Sequence, residues 1–137
     1  MKHYTMGYTG YSVAQIKKLA EELDAVVFDI RFRPYGRNFA FNKSRFIESL
    51  QERYEYIGEL GNINYKLEMK DTRFVDLEAG IAKIVASEKP VIIMCTCKDY
   101  YNCHRSLVAR RLREMGHEVQ EVSPRPLIPP QLNLFRF

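Results

Sequence analysis

The sequence predicts one α/β domain of three layers: a mostly parallel sheet of about five strands with helices on both faces. Three observations carry that expectation. Short β-prone runs alternate along the chain with segments of helical period, and repeated β-α-β-α units imply crossover connections. Two of the runs, Val26–Phe28 and Val91–Cys95, are continuously apolar, as strands covered on both faces are. The length of 137 residues fits a single ordinary domain.

Taken in order, residues 4–8 form a first strand, followed by the turn Thr9-Gly10-Tyr11. Ser12 and Gln15 have the spacing of a capping box, and Tyr11 and Ile16 that of a hydrophobic staple. Val13, Ile16, Leu19, Ala20 and Leu23 then keep a helical period. Residues 25–31 form a second strand, Pro34 and Gly36 mark a loop, and a helix is expected over 44–52. A third strand is expected over 54–60, then an exposed polar loop over 62–71. Phe74, Leu77, Ile81, Ile84 and Val85 predict a third helix, in which Gly80 is a weak point. Pro90 opens a strand over 91–97, where a proline is tolerated at the first position. Asn102 or Cys103 begins a fourth helix that Gly116 stops, and residues 117–122 form an edge strand. The expected division is an α/β domain over 1–123 and a proline-rich tail over 124–137, packed down through Leu132, Leu134 and Phe135 or extended to a partner.

Composition excludes several classes. A hydrophobic share of 46% is too high for a disordered chain. No run approaches the roughly 18 apolar residues of a membrane span. Met1-Lys2-His3-Tyr4 lacks the apolar core of a signal peptide, so a cytoplasmic location is expected, with no membrane partner. The three cysteines, Cys95, Cys97 and Cys103, are too tightly clustered for a disulfide scaffold. A net charge of +4 permits an anionic partner without demanding one.

Ligands of parallel sheets bind beyond the carboxyl ends of the strands. Tyr8, Thr9, Gly10 and Tyr11 follow the first strand. Asp29, Arg31, Arg33 and Arg37 follow the second, interleaved with Phe32, Tyr35, Phe39 and Phe41. Glu59 and Asn62 follow the third, and Cys95, Cys97, Lys98, Tyr100, Tyr101, Cys103, His104 and Arg105 the fourth. A helix N-terminus at Cys103-His104-Arg105 offers unpaired N–H groups to an anion and lowers the pKa of a nearby thiol. Arg105 could grip phosphate bidentately and His104 act as acid or base; in the alternative, Cys103 is a small buried residue at the helix start and His104 a satisfied capping histidine. Asp29 reads either as a general base or a carboxylate orienting His104, or as an ion-pair partner of Arg31, Arg33 or Arg105. Arginines alternating with aromatics suit phosphates and stacked bases, whereas Arg110, Arg111 and Arg113 read as a solvent face.

Spacing tests two familiar motifs. A phosphatase or rhodanese-type loop needs Cys, five residues, then Arg, and Cys97 to Arg105 is too long by two. Cys95-x-Cys97 with Cys103-His104 supplies four soft ligands, but zinc pairs usually stand two to four residues apart and adjacent Cys and His rarely share one ion. No metal and no cofactor is therefore expected.

Several blocks together resemble the domain-of-unknown-function family 488. Tyr8-Thr9-Gly10-Tyr11-Ser12 and Val27-Phe28-Asp29-Ile30-Arg31-Phe32-Arg33-Pro34 resemble its "GY…S" turn and "DVRxxP" strand end. Phe41-Asn42-Lys43-Ser44 and Tyr56-Ile57-Gly58-Glu59-Leu60-Gly61 resemble its next two blocks. Met94-Cys95-Thr96-Cys97-Lys98-Asp99, then Cys103-His104-Arg105-Ser106, resemble its "LLCxEKD…CHRS" signature, with the C-x7-CHR spacing kept. The resemblance runs over residues 4–115 and implies a compact three-layer α/β domain without a settled activity. Its matching positions are Tyr8, Gly10, Asp29, Arg31, Pro34, Glu59, Cys95, Cys103, His104 and Arg105. Cys97 departs from the family's usual Glu, and the loop at 62–71 from its glycine-rich stretch.

The expected function is that of an enzyme-like domain, a hydrolase or transferase binding an anionic ligand such as a nucleotide, DNA or RNA. Asp29, Cys95, Cys103 and His104 are the candidates for chemistry. Tyr8, Gly10, Arg31, Arg33, Tyr35, Glu59 and Arg105 are the candidates for binding. The alternatives are a non-catalytic nucleic-acid-binding module and a structural metal domain.

Overall fold

The computed structural model describes residues 1–36, 39–97 and 99–123; Arg37, Lys98 and the expected tail at 124–137 lie outside them. Among the described residues, five strands build one sheet: β1 (Lys2–Gly7), β2 (Val26–Asp29), β3 (Tyr54–Tyr56), β4 (Val91–Cys95) and β5 (Glu118–Glu121). Their order is β3-β2-β4-β1-β5, and every pairing is parallel. The helices are α1 (Val13–Leu23), α2 (Lys43–Leu50), α3 (Leu77–Val85) and α4 (Arg105–Glu114).

Hydrophobic burial divides the helices between the faces. Ile16 and Ala20 of α1, with Phe46 and Leu50 of α2, pack on Met6, Val27, Ile92 and Met94. Ile81 and Ile84 of α3, with Val108 and Leu112 of α4, pack on Phe28, Val91, Ile93 and Cys95. Side chains alternating along β4 thus serve opposite cores, which is why its sequence shows no polar face. The α/β fold with helices on both faces is as expected.

Local chemistry sets several ends. The capping box at Ser12 is formed in both directions, and Asp24 closes α1 in the left-handed region at φ 48°. The third strand ends at Tyr56 instead of running to residue 60, because a 3₁₀ turn at Gly58–Leu60 sends Leu60 into the core. β4 ends at Cys95 instead of Cys97, because the next residues fold over β1. A Cβ at Gly7 would lie 1.8 Å from the Cys97 carbonyl oxygen, an approach only glycine permits. The fourth helix starts later than expected. Asp99 caps a 3₁₀ turn at Tyr100–Asn102, leaving Cys103 extended and His104 as the N-cap of α4. The loop at 62–71 is mostly exposed, as expected, and is anchored by its first residue. Asn62 is buried, and its Oδ1 accepts from the backbone N–H groups of Asn64 and Arg73.

Register aligns the strands' carboxyl ends: Gly7 lies opposite Cys95, and Asp29 lies opposite both Met94 and Tyr56. The chain leaves β1 and β2 toward the α1/α2 face, but leaves β4, which lies between them, toward the α4 face. Such a reversal opens a crevice at the strand ends.

Candidate functional site

Two cavities occupy that crevice and share Arg31, Arg33 and Thr96. The first, about 370 Å³, is lined by Phe32, Tyr65, Leu67 and Met69 on one side and by Cys95, Cys103 and His104 on the other. The second, about 440 Å³, is lined by Tyr8, Gly10, Tyr35, Phe41 and Asn42. Gly10 turns the chain there at φ 93°, a conformation that favours glycine.

Asp29 lies beneath the shared wall, wholly buried. Its Oδ1 accepts from Arg31 Nε at 2.9 Å and its Oδ2 from Arg31 Nη2 at 2.7 Å. Tyr54 donates its hydroxyl to the same Oδ2. Burial disfavours the charge on Arg31, but the Asp29 carboxylate overrides it and holds the guanidinium above its ordinary pKa. Tyr54 is pushed upward, first by burial and then by the Asp29 charge. Arg31 Nη1 donates to the Phe41 carbonyl at 2.6 Å and to the Tyr8 hydroxyl at 3.3 Å. The ion-pair reading of Asp29 is therefore what the geometry displays, and Asp29 fixes Arg31 within the wall.

Arg105, at the start of α4, is also wholly buried. Its Nε and Nη2 fork onto Glu121 of β5 at 3.1 and 2.6 Å. Its Nη1 reaches the Cys97 carbonyl at 2.7 Å and the Cys95 sulfur at 3.1 Å. The guanidinium expected to grip phosphate instead ties the end of β4 to the edge strand.

His104 donates from Nε2 to the Ile30 carbonyl at 2.8 Å, since a carbonyl can only accept. Nδ1 therefore carries the lone pair, 3.7 Å from Cys103 Sγ. Burial lowers the His104 pKa and the Arg105 charge lowers it further, against the Ile30 hydrogen bond and Asp29. Its expected orienting partner was Asp29; the partner in the structure is a backbone carbonyl. The sulfurs of Cys95 and Cys103 are in disulfide contact, whereas Cys97 is free and exposed.

Tyr8, a candidate for binding, is buried and stacks on Phe41 at 4.6 Å. Arg33 and Tyr35 are exposed and line cavity walls. Glu59 faces neither cavity; it pairs with Lys83 of α3 at 2.6 Å. The structure thus gathers ten of the expected residues at one edge and leaves Glu59 apart. Sequence reasoning missed Thr96, Tyr54 and Glu121, and the wall formed by Tyr65, Leu67 and Met69. Apolar residues inside an otherwise polar loop were the available signal for that wall. Among the described residues no helix is long and apolar enough to cross a membrane.

No curated protein and no solved structure matches the chain. Residues 61–112 match the family model described as "Domain of unknown function DUF488", a span that begins after β3 and ends within α4. That span contains the Cys95, Cys103 and His104 spacing, so over residues 61–112 the chain is similar to the DUF488 family.

Proposed function

We propose that the carboxyl edge of the sheet binds an anionic, nucleotide-like ligand, and that the protein is a cytosolic hydrolase or transferase acting on it. The observation that carries this reading is the shared cationic wall between two chambers. Arg31 is held rigidly by Asp29, and Arg33 beside it is exposed and borders both cavities. The apolar walls at Phe32, Tyr65 and Leu67 suit a planar ring, and an exposed guanidinium with Thr96 suits a phosphate. Cys95, Cys103 and His104 border the same chamber, so the reacting end of the ligand lies there. Asp29 and Arg105 are positioning residues in this reading.

The test is equilibrium binding of nucleoside mono- and diphosphates to the full chain at low salt. Arg33→Ala should weaken binding by about ten- to hundredfold, the worth of a charge-assisted hydrogen bond of roughly 1.5–3 kcal/mol. Absence of nucleotide binding by the wild-type protein, or indifference to Arg33→Ala, overturns the reading. Exposed Tyr35 and Phe39 flanking the same loop favour a second reading, a nucleic-acid-binding module without turnover. It predicts oligonucleotide binding that falls steeply as salt rises, with no product formed.

A further inference from the structure

We propose that Cys95, Cys103 and His104 form a zinc site whose fourth position opens into the first cavity. One donor atom from each residue lies within 4.8 Å of the other two. Tetrahedral zinc with two sulfur ligands and one nitrogen spaces those atoms about 3.5–3.8 Å apart. The 3.7 Å between Cys103 Sγ and His104 Nδ1 is that spacing, whereas the two sulfurs, in disulfide contact, must separate to hold the ion.

Neighbours in sequence seldom reach one ion, yet here the backbone allows it. Cys103 is extended (φ −123°, ψ 141°) and His104 is helical (φ −59°, ψ −18°), so both side chains turn toward the end of β4. The donor set omits Cys97, on which the unfavourable zinc spacing depended.

Three further observations point to a metal. His104 gives its Nε2 proton to the Ile30 carbonyl, which leaves Nδ1 as a lone-pair donor facing the sulfurs. A backbone carbonyl behind a ligating imidazole is one of the usual outer partners of a zinc histidine. Arg105 Nη1 donates to Cys95 Sγ at 3.1 Å, a bond that favours a thiolate and has little to offer a neutral cystine. The Cα atoms of the two cysteines are 7.8 Å apart, wider than the 4.4–6.8 Å usual for a disulfide.

Three protein ligands beside a cavity make an open site, unlike the closed four-ligand site of structural zinc. Zinc bound there would offer a Lewis acid or an ionisable water to whatever enters the chamber. The site stands on its own donors and does not require the nucleotide reading.

The experiment is titration of reduced, full-length protein with Co²⁺ alone, followed by Zn²⁺. One equivalent of Co²⁺ should give sulfur-to-cobalt charge transfer with intense tetrahedral d–d bands, and one equivalent of Zn²⁺ should abolish both. Cys103→Ser and Cys95→Ser should weaken binding by more than the roughly 10–100-fold typical of losing an outer partner. Cys97→Ser should leave the spectrum unchanged. Should a cysteine variant fail to fold, alkylation of wild-type protein decides instead: Zn²⁺ should shield Cys95 and Cys103 while Cys97 stays reactive. Absence of the cobalt bands, equal loss in Cys97→Ser, or alkylation of all three cysteines in the presence of Zn²⁺ overturns the proposal. So does a Cys95–Cys103 disulfide whose reduction creates no cobalt site.

Discussion

Asp29 shows how a residue noticed for chemistry becomes architecture. Both its oxygens are taken, by Arg31 and Tyr54, inside a site without solvent. A buried ion pair adds little net stability, but losing one partner strands the other charge. Asp29→Ala should therefore cost about 3–5 kcal/mol in urea unfolding, while Asp29→Asn keeps acceptor and shape and should cost less. Equal losses in the two variants would contradict this account. Asp29 and Arg31 were legible as a strand-end pair because they stand two residues apart. Tyr54 and Glu121 were not, because their partners lie 25 and 16 residues away, reached through strand pairing for Tyr54 and through the packing of α4 for Glu121.

Among the elements, what is local in physics was legible in sequence. The capping box of α1 needs only four consecutive residues, and the apolar run of β4 needs only its own five. Some boundaries that moved are set by tertiary bonds, such as Arg105 drawing in the Cys97 carbonyl, and others by short 3₁₀ turns that no apolar period marks, such as the one Asp99 caps before α4. Gly80 is the clearest reversal. Helix propensity marks it as a weak point, and replacement by alanine would gain about 1 kcal/mol in an isolated helix. In the folded chain a Cβ there would lie 2.3 Å from Leu60 Cγ, with two more Leu60 atoms close behind. Leu60 is fully buried and has little room to yield. Gly80→Ala should thus destabilise by about 1–3 kcal/mol, the usual range for overpacking. A rise in thermal midpoint would show that Leu60 yields and that propensity wins.

At the scale of the whole molecule, a parallel sheet covered on both faces could be read from the sequence, but the order β3-β2-β4-β1-β5 could not. Alternating patterns reveal that strands exist and leave their neighbours open; only assembly puts β4 between β1 and β2 and so creates the crevice. The same assembly buries His3 of β1, whose Nδ1 accepts the Val91 N–H of β4 at 3.0 Å. Burial, the neighbouring His117 and the N-terminal amine all lower its pKa from 6.5. A histidine depressed in the fold binds fewer protons there than in the unfolded chain. Its stabilising contribution is therefore complete above pH 6.5 and is lost as pH falls toward the folded value. Asp24 and Glu59, held down from 3.8 and 4.5 by Lys89 and Lys83, begin to act only at lower pH, so the two effects separate. Unfolding free energy measured by urea from about pH 7.5 to 5.5 should fall with pH in the wild-type protein. In His3→Asn, whose amide oxygen can accept the Val91 N–H without titrating, the slope should be shallower. Parallel slopes for the two proteins would mean that the joint between β1 and β4 does not sense protons.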